Sequence, residues 1–373
     1  MTERMKRRDF LNKSMLVSAG IVVGGAGSKG ARAALTKQEE GNAAAIRRTR
    51  SYNPKMEYRR LGKTGLWVSA VSLGGHWKRI DKVIGTNEIN PYNAPTDSDQ
   101  FGPFMKNREK VIHYCLEQGI NCIDLAGDSE AEVYCAALGK SRDKMYLAYS
   151  HPASELRVPA NRKAEKLLEL YKAGLKRCNI EYADIWRLMA LERGGQHSQA
   201  DAEAMITALD KAREQGLCRY TGLSTHDRKW AEMLIETYPD IVQVIVTPYT
   251  AMSKVLPRSS FFKAVQKHDV GILGIKPFAS NSLFKGDGSP DNPHAEEDDR
   301  RARMAIRYIL NNPAITAPIP GLISKHQVDN AVLAVRERRE LDIEEQAELE
   351  KIGNETLARL PLEYQWLRDW RYV

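Results

Sequence analysis

The sequence predicts an α/β fold, a single (β/α)8 TIM barrel, from three observations. Short runs rich in β-branched residues alternate with segments of helical periodicity, which is typical of βα units and a parallel sheet. Eight candidate strands lie at residues 67–73, 119–124, 145–150, 183–189, 219–223, 241–246, 270–276 and 315–319. Eight units in one domain fit a closed barrel better than an open, doubly wound sheet. No Gly-x-Gly-x-x-Gly motif follows the first strand, which weakens the Rossmann alternative.

The composition and length agree with one barrel plus extensions. The 373 residues are 42% hydrophobic and 28% charged, as expected for a globular protein that buries a full core. Candidate helices include residues 161–178, 199–214, 227–237, 297–311 and 325–338. We divide the chain into a twin-arginine signal peptide at 1–33, a flexible linker at 34–54, a barrel at 55–340, and a C-terminal helix and tail at 341–373. The linker prediction rests on polar composition without periodicity.

The first 33 residues are interpreted as a targeting segment. Arg7 and Arg8, followed by Phe10 and Leu11, resemble a twin-arginine export signal. The Gly-rich apolar stretch after them is too short to give a stable membrane span. The sequence therefore predicts export of the folded protein to the periplasm, with the twin-arginine export machinery as a partner. A disordered basic tail and an uncleaved membrane anchor stay open as alternatives.

The positive charge of the chain does not indicate a nucleic-acid partner. The net charge is +8, but seven basic and two acidic residues within 1–33 account for +5 of it. The remainder carries only +3 and contains no basic stripe interleaved with aromatic residues. We expect no nucleic acid to bind.

The five cysteines predict no metal site. Their number is odd, no Cys-x-x-Cys spacing occurs, and all lie within candidate helices and strands. We interpret them as small buried hydrophobic residues. A disulfide between two of them in an oxidising compartment stays open.

Five segments resemble the aldo-keto reductases in order and spacing, over residues 56–344. They are 58–75, 216–226, 276–280, 314–321 and 327–330. The resemblance implies a barrel whose chemistry lies at the carboxyl ends of the strands, an NADP cofactor and a small-molecule substrate. It makes no prediction about the oligomeric state.

The resemblance breaks down at the acid–base residues of that family. Asp124 stands where the family has its catalytic Asp, but Ser129, Ser150 and Met189 replace the Tyr, Lys and His. The loop after Asp124 is also shorter than usual, by about four residues on that alignment. Loss of a general acid costs on the order of 10²–10⁴ in rate, so we expect a non-standard acid–base set.

We predict that Asp124, Lys276 and Arg187 form the catalytic group, with His151 as a reserve proton donor. Arg187 lies two residues before Met189 and points into the barrel, where a charge is costly unless Asp124 or Glu192 pairs with it. Lys276 ends the seventh strand, where burial would lower the pKa of its ammonium group. The alternatives are a structural carboxylate, a structural ion pair and a solvent-facing lysine.

The cofactor-binding residues are better preserved, as the resemblance implies. The loop from Pro277 resembles a pyrophosphate-binding loop, and the segment from Gly321 resembles one that holds the adenosine 2′-phosphate at a helix N-terminus. Thr225 stands where the family has Asn. The predicted cofactor-binding residues are Ser224, Thr225, Gln243, Pro277, Phe278, Ala279, Ser280, Ser282, Leu283, Gly321, Ser324, Lys325, Gln327 and Asn330.

The sequence favours an NADP-binding oxidoreductase that acts on a carbohydrate or related carbonyl or polyol. Two alternatives stay open: an inactive ligand-binding barrel, and a lyase or isomerase that uses Asp124 and Lys276. Specificity would be built by the long insert at 77–105 and by the tail from Leu360. The tail aromatics are expected either to stack on a ligand or to pin the tail to the barrel; they are Tyr364, Trp366, Trp370 and Tyr372.

Overall fold

The computed structural model describes residues 29–127, 129–253, 260–289, 291–337 and 339–368. It divides into two compact units, residues 1–48 and residues 49–373. In the first unit, α1 (Lys29–Arg47) is a helix of 19 residues rich in alanine, which has the highest intrinsic helix propensity. Residues 34–47 are therefore helical, and the prediction of a structureless linker at 34–54 is corrected there. The arginine pair of the predicted signal lies outside the described residues.

The second unit is built on a barrel of eight parallel strands. They are β3 (Leu73–Gly74), β4 (Cys122–Asp124), β5 (Tyr146–Tyr149), β6 (Ala183–Met189), β7 (Cys218–Ser224), β8 (Val244–Pro248), β9 (Gly271–Ile275) and β10 (Ala317–Ile319). Each strand pairs with the next in chain order, and a bridge between Gly74 and Gly321 joins the two edges. The predicted (β/α)8 barrel is confirmed.

A short antiparallel hairpin precedes the barrel. Its strands are β1 (Tyr58–Arg60) and β2 (Trp67–Ser69), so the single strand predicted at 67–73 is in fact two elements. Gly62 in the turn has a φ of +49°, and a Cβ there would collide with the backbone of Gly271 at the amino end of β9. Leu61 is fully buried among the barrel side chains, so the hairpin closes the amino-terminal end of the barrel.

Helices follow the strands, as expected for βα units. They are α2 (Ile80–Ile84), α3 (Ser98–Glu117), α4 (Glu130–Leu138), α5 (Ala164–Arg177), α6 (Gln199–Glu214), α7 (Arg228–Thr237), α8 (Ser260–Lys267), α9 (Ala295–Leu310), α10 (Lys325–Arg336) and α11 (Ile343–Ala358). 3₁₀ segments lie at Gly62–Thr64, Gly139–Lys144, Pro152–Ser154, Pro159–Asn161, Gly194–Gln196, Ala279–Asn281 and Leu362–Arg368. No helix was predicted at α3 or α8, and part of the predicted 77–105 insert is helical.

The C-terminal extension packs beside the loops that follow β8 and β9. Leu349 and Ile352 of α11 are buried against Met252 and Leu283, and Leu367 of the tail joins the same apolar cluster. This packing holds the final 3₁₀ turn near the carboxyl ends of the strands, where barrel enzymes place their chemistry.

Two properties of the described residues bear on the predicted sites. All five cysteines are buried free thiols, in line with their interpretation as hydrophobic residues. No described helix is both long and apolar enough to cross a membrane.

Candidate active site

A cavity of about 410 Å³ opens at the carboxyl ends of the barrel strands. Its floor is formed by strand ends, among them Asp124, Met189, Ser224 and Ile275. Loops that follow these strands form the wall, including the loop after β9 and the insert after β3. The cavity lies where the barrel fold predicts an active site.

A buried ion pair lies at the floor of the cavity. The Nε of Arg187 donates to Oδ1 of Asp124 at 2.6 Å, and its Nη2 donates to the carbonyl of Leu125 at 2.9 Å. Both charged side chains are almost fully buried. Burial raises the pKa of Asp124 and Arg187 lowers it; Glu130 adds to the effect of burial, and the net direction is upward. Of the two partners considered for Arg187, the structure selects Asp124 over Glu192.

One carboxylate that the sequence did not single out, Glu155, occupies the region of the missing Lys and His. Its Oε2 accepts hydrogen bonds from Ser150 Oγ at 2.7 Å and from the Met189 amide at 2.6 Å. Its Oε1 accepts from Trp186 Nε1 at 3.1 Å. Glu155 is buried, and its carboxylate accepts all three hydrogen bonds. It therefore connects β5 to β6 structurally, at the place where the missing Lys and His would have taken part in proton transfer.

A second buried carboxylate, Glu130, holds the loop after β4. It accepts from the Ala126 amide at 2.6 Å and makes a short contact with Nδ1 of His76. A Cβ on either Gly75 or Gly127 would collide with this carboxylate, so a larger residue at either position would have to displace the Glu130 side chain. His76 lines the cavity, which brings an imidazole and a carboxylate beside Asp124.

Lys276 reaches the cavity directly after β9. It is half-buried, adopts a φ of +59°, and places its Nζ 5.0 Å from the ring centroid of Trp366. Burial, followed by the charge of Lys78, lowers the pKa of Lys276 to about 8. The imidazole of His226 stacks on the same Trp366 ring, with 5.1 Å between the ring centroids. Burial, followed by the charge of Lys276, lowers the pKa of His226 to about 2, so its side chain is neutral.

The insert and the tail meet over the same cavity. Nζ of Lys78 donates to the hydroxyl of Tyr364 at 2.7 Å and lies 4.9 Å from its ring centroid. Tyr92 of the insert lines the cavity, and its backbone carbonyl accepts from the Ser129 amide at 3.4 Å. Tyr364 and Trp366 thus contact side chains that line the cavity, whereas the other two tail aromatics lie outside the described residues.

His151 is not part of this arrangement. It follows β5, and its Nδ1 is buried without a hydrogen-bond partner among the described residues. The neighbouring Pro152 lines the cavity, but His151 does not. Nothing in the geometry supports His151 as the reserve proton donor.

The predicted cofactor-binding residues separate into those that line the cavity and those used elsewhere. The cavity-lining residues are Ser224, Pro277, Phe278, Ser280 and Gly321. The other residues of the loop after β9 face away from it: Ala279 and Leu283 belong to the apolar cluster under α11, and the Ser282 carbonyl accepts from Thr356.

By the family resemblance, Ser224, Thr225 and Gln243 are the residues predicted beside the nicotinamide, and the last two are committed to structural bonds. Thr225 Oγ1 donates to the Leu191 carbonyl at 3.1 Å. Gln243 lies one residue before β8, at the amino-terminal end of the barrel, where its Oε1 accepts from the Thr221 amide at 3.1 Å. Gln243 therefore lies on the wrong side of the strand to reach the cavity, and its predicted role is corrected.

The segment that opens α10 is ordered mainly by its own side chains. Ser324 caps the helix by accepting from the Gln327 amide at 3.2 Å, and Gln327 Oε1 accepts from the Ile323 amide. Asn330 accepts from Arg303 and donates to the Asp299 carbonyl. Lys325 is exposed and forms no ion pair within the described part of the chain, but its Nζ lies 4.4 Å from the ring centroid of Tyr114.

The residues present fit the phosphate portion of a dinucleotide better than its nicotinamide amide. Ser280 offers a hydroxyl on the cavity wall, and the amino end of α10 offers backbone amides beside the unpaired cation Lys325. For the amide group, only Ser224 lies at the cavity among the three predicted partners. The donor set thus supports anion binding and leaves nicotinamide orientation to other residues.

Comparison with known proteins identifies related sequences. The sequence model of the aldo/keto reductase family matches residues 97–303. The chain is 23% identical to L-galactose dehydrogenase of Arabidopsis thaliana, over 78% of this chain and 92% of that protein. It is 21% identical to L-glyceraldehyde 3-phosphate reductase of Escherichia coli (strain K12), over 75% and 88% of the two chains.

Solved structures share the fold. The aldo-keto reductase AKR11C1 from Bacillus halodurans, in its holo form, superposes with a TM-score of 0.55 at 20% identity. The match covers 80% of this chain and 96% of that structure. A putative 2,5-diketo-D-gluconic acid reductase B gives a TM-score of 0.55 at 13% identity, over 80% and 91% of the chains.

Proposed function

The chain belongs to the aldo/keto reductase family, and we propose that it is an NADP-dependent oxidoreductase acting on a carbohydrate or related carbonyl or polyol. It would interconvert a carbonyl and a hydroxyl group with an acid–base set that differs from the usual one. The family and its relatives indicate an oxidoreductase. The name of the sugar dehydrogenase among the relatives supports the substrate class.

The observation that carries the proposal is the charged cluster at the mouth of the barrel. Lys276 lies at the cavity together with the paired Asp124 and Arg187. Fixed cations in a partly water-excluded site stabilise the negative charge that develops on a carbonyl oxygen during reduction. A carboxylate paired with Arg187 accepts a hydrogen bond from a substrate hydroxyl, which supports a polyol.

Members of this family generally bind NAD(P)H, and the anion-binding features suit its phosphates. Ser280, Gly321 and the amino end of α10 would hold the diphosphate side, and Lys325 would hold the 2′-phosphate. When bound, this cofactor supplies or accepts the hydride. Lys276 and Arg187 would orient the substrate oxygen, and the tail over Lys276 would exclude water.

Fluorescence titration with NADPH and NADH tests the proposal. We expect NADPH to bind well below about millimolar and the Lys325→Met variant to bind it about tenfold more weakly, as for one lost charge-assisted contact. NADH affinity should not change in that variant. Lys172→Met, an exposed lysine on α5, is the matched control. No binding of either cofactor below about millimolar would reject the proposal.

One observation favours a second function, that of a lyase or isomerase. A lysine with a pKa of about 8 is partly an unprotonated amine at neutral pH, which suits a base or an imine-forming nucleophile. Conversion of a sugar substrate without any nicotinamide cofactor, abolished by Lys276→Met, would favour this function over the oxidoreductase.

A further inference from the structure

We propose that His76 and Glu130 form the acid–base pair of this site. The imidazole of His76 would be the catalytic group that exchanges a proton with the substrate oxygen, and the carboxylate of Glu130 would position it. The inference rests on the proposed oxidoreductase function and adds to it the group that handles the proton. Neither residue stands at a position where the family places its acid–base residues.

The carboxylate of Glu130 is held in place from several sides. It is fully buried, and its Oε2 accepts a hydrogen bond from the Ala126 amide at 2.6 Å. A Cβ on Gly75 or Gly127 would collide with it, so the two glycines leave the space that the carboxylate fills. Glu130 is also the first residue of α4, and the amino end of a helix favours a negative charge. These contacts direct Oε1 toward His76.

Two contacts orient the imidazole of His76. Its Nδ1 hydrogen-bonds to Oε1 of Glu130. Its ring packs edge-on against Tyr92, with 4.7 Å between the ring centroids and 76° between the ring planes. An ionised carboxylate only accepts hydrogen bonds, so Nδ1 carries the proton of this bond. In the neutral ring the lone pair is therefore on Nε2.

The rest of the ring is accessible from the cavity. His76 lies two residues after β3 and lines the 410 Å³ cavity together with Tyr92. Its side chain is 38% exposed, whereas the carboxylate behind it is 0% exposed. Within the part of the chain that the structure describes, Nε2 makes no hydrogen bond. Nε2 is therefore the polar atom of the pair that a substrate oxygen in the cavity can approach.

The surroundings of the imidazole suit proton transfer near neutral pH, where histidine side chains gain and lose protons most readily. Glu130 stabilises the imidazolium form, as a carboxylate does in other carboxylate–histidine pairs. The other charged and titratable groups around the ring are Asp124 with its partner Arg187, and Tyr92 with Lys78. Burial, followed by Tyr364, raises the pKa of Tyr92 to about 12, so Tyr92 contributes no charge at neutral pH.

The other polar groups at the cavity have different roles. The carboxylate of Asp124 accepts a hydrogen bond from Arg187. His226, with a pKa of about 2, holds no second proton at neutral pH. The ammonium group of Lys276 supplies positive charge that stabilises the substrate oxygen. The imidazole of His76 is thus the cavity-lining group that combines a buried carboxylate partner with an accessible nitrogen.

The proton leaves from Nε2 of the imidazolium during reduction. The carbonyl carbon gains a hydride with its electron pair from the reduced nicotinamide cofactor, and the carbon–oxygen π bond breaks. The π electron pair moves to the oxygen, which forms an O–H bond with the Nε2 proton. The electron pair of the broken N–H bond stays on Nε2, and water later returns a proton to it. Oxidation of an alcohol runs the same step in reverse, with Nε2 as the base.

Kinetics of the His76→Ala variant test the catalytic role. With L-galactose and NADP⁺ as probes, or glyceraldehyde and NADPH, we expect kcat to fall by about 10²–10⁴ while NADPH affinity is retained. Free imidazole should recover part of this loss, because it fits the space of the missing ring and carries the same acid–base group. Wild-type kcat in His76→Ala, or a loss that imidazole does not recover, would overturn the inference and leave the proposed function intact.

His268→Ala is the matched control. The imidazole of His268 also pairs with a carboxylate, since its Nε2 lies 2.9 Å from Oε2 of Glu236. It lies just before β9, at the amino-terminal end of the barrel and away from the cavity. We expect wild-type kcat in this variant, with or without imidazole. A loss as large as that of His76→Ala would overturn the inference, because it would show that losing any histidine–carboxylate pair lowers the rate.

Glu130 variants test the positioning role by pH dependence. In oxidation the rate should rise with pH as Nε2 loses its proton. Glu130→Gln removes the charge that stabilises the imidazolium, so this rise should move to lower pH. Glu130→Asp keeps the charge and should leave the rise near its wild-type position. A carboxylate that only supports the loop would change stability without moving the profile, so an unmoved rise in Glu130→Gln would overturn the role of Glu130.

Nitrogen-15 NMR of the histidine rings gives a readout that needs neither cofactor nor turnover. The ring signal that is missing in His76→Ala should report a neutral imidazole with its proton on Nδ1, and it should gain its second proton at higher pH in wild type than in Glu130→Gln. A neutral ring with the proton on Nε2 would overturn the pairing. Absence of cofactor binding and turnover in the wild type would instead refute the proposed function, and the proton-transfer role with it.

Discussion

Removing the positive partner of Asp124 should destabilise the fold strongly, and more so at neutral than at acid pH. Arg187→Met keeps much of the side-chain volume but leaves a carboxylate buried without its cation. Asp124 and Arg187 are 3% and 0% exposed, so solvent does not screen the pair. Breaking such a buried pair costs about 3–5 kcal/mol of unfolding free energy. The lost bond to the Leu125 carbonyl adds about 1 kcal/mol.

The pH dependence follows from the pKa of Asp124. That pKa is already raised in the folded protein, and Arg187 is the main group that lowers it. Without Arg187 it rises further, whereas the unfolded value stays at about 3.9. The stability of the variant should therefore fall as pH rises from about 4 through the folded pKa, because ionisation of Asp124 then favours the unfolded chain.

Urea unfolding followed by circular dichroism at pH 4 and pH 7 measures the effect. The double variant Asp124→Asn with Arg187→Met should recover much of the loss, because it leaves no unpaired charge. Arg60→Met is the matched control: its pair with Asp269 is nearly half exposed, so its loss should stay below about 1 kcal/mol. A loss under about 1 kcal/mol for Arg187→Met, or an equal loss at both pH values, would refute this reasoning.

Three further predictions concern other parts of the chain. Glu155→Gln should lower the unfolding free energy by about 2–3 kcal/mol in the same assay. The reason is that the Gln amide would turn an N–H toward one of the three donors that now bond to the carboxylate. A loss within error of zero would contradict the bridging role. Lys276→Met should abolish the part of the pH–rate profile that falls as Lys276 loses its proton near pH 8, and an unchanged profile would place the chemistry elsewhere. We propose export through the twin-arginine route, so replacing Arg7 and Arg8 by Lys should leave the product in the cytoplasm; cell fractionation that still finds the variant exported would remove the argument.

The barrel could be predicted from the sequence because the patterns that mark its helices and strands lie within short segments. Helix α6 was placed at 199–214 and is observed at Gln199–Glu214, since Ser198 and Asp201 form a capping box at its start. The strands are bounded by polar turns, so seven of the eight were located to within three residues at each end; the first was predicted at 67–73, a range that covers the hairpin strand β2 and the start of β3. Helix α8 was missed because it has only eight residues, too few to establish a clear periodicity.

Whether a site residue could be predicted depends on how well the sequence locates the two ends of its strand. Asp124, Arg187 and Lys276 were located because each lies on or directly after a barrel strand, and the carboxyl ends of parallel strands converge. Gln243 was assigned through the family resemblance, but strand β8 begins one residue after it and places it at the opposite end of the barrel. Spacing along a strand does not fix which end of the barrel a residue faces.

The local alternation of residues was sufficient to specify a (β/α)8 barrel and to locate the buried charges at its mouth, because periodicity and strand ends are properties of short segments. The partnerships that complete the site required the tertiary structure. Lys78 and Tyr364 are separated by 286 positions, Glu155 and Tyr92 lie in irregular loops, and Glu130 is the first residue of α4. Loops carry no periodic signal, and their side chains meet only because the closed barrel and the apolar cluster under α11 bring distant segments to one mouth.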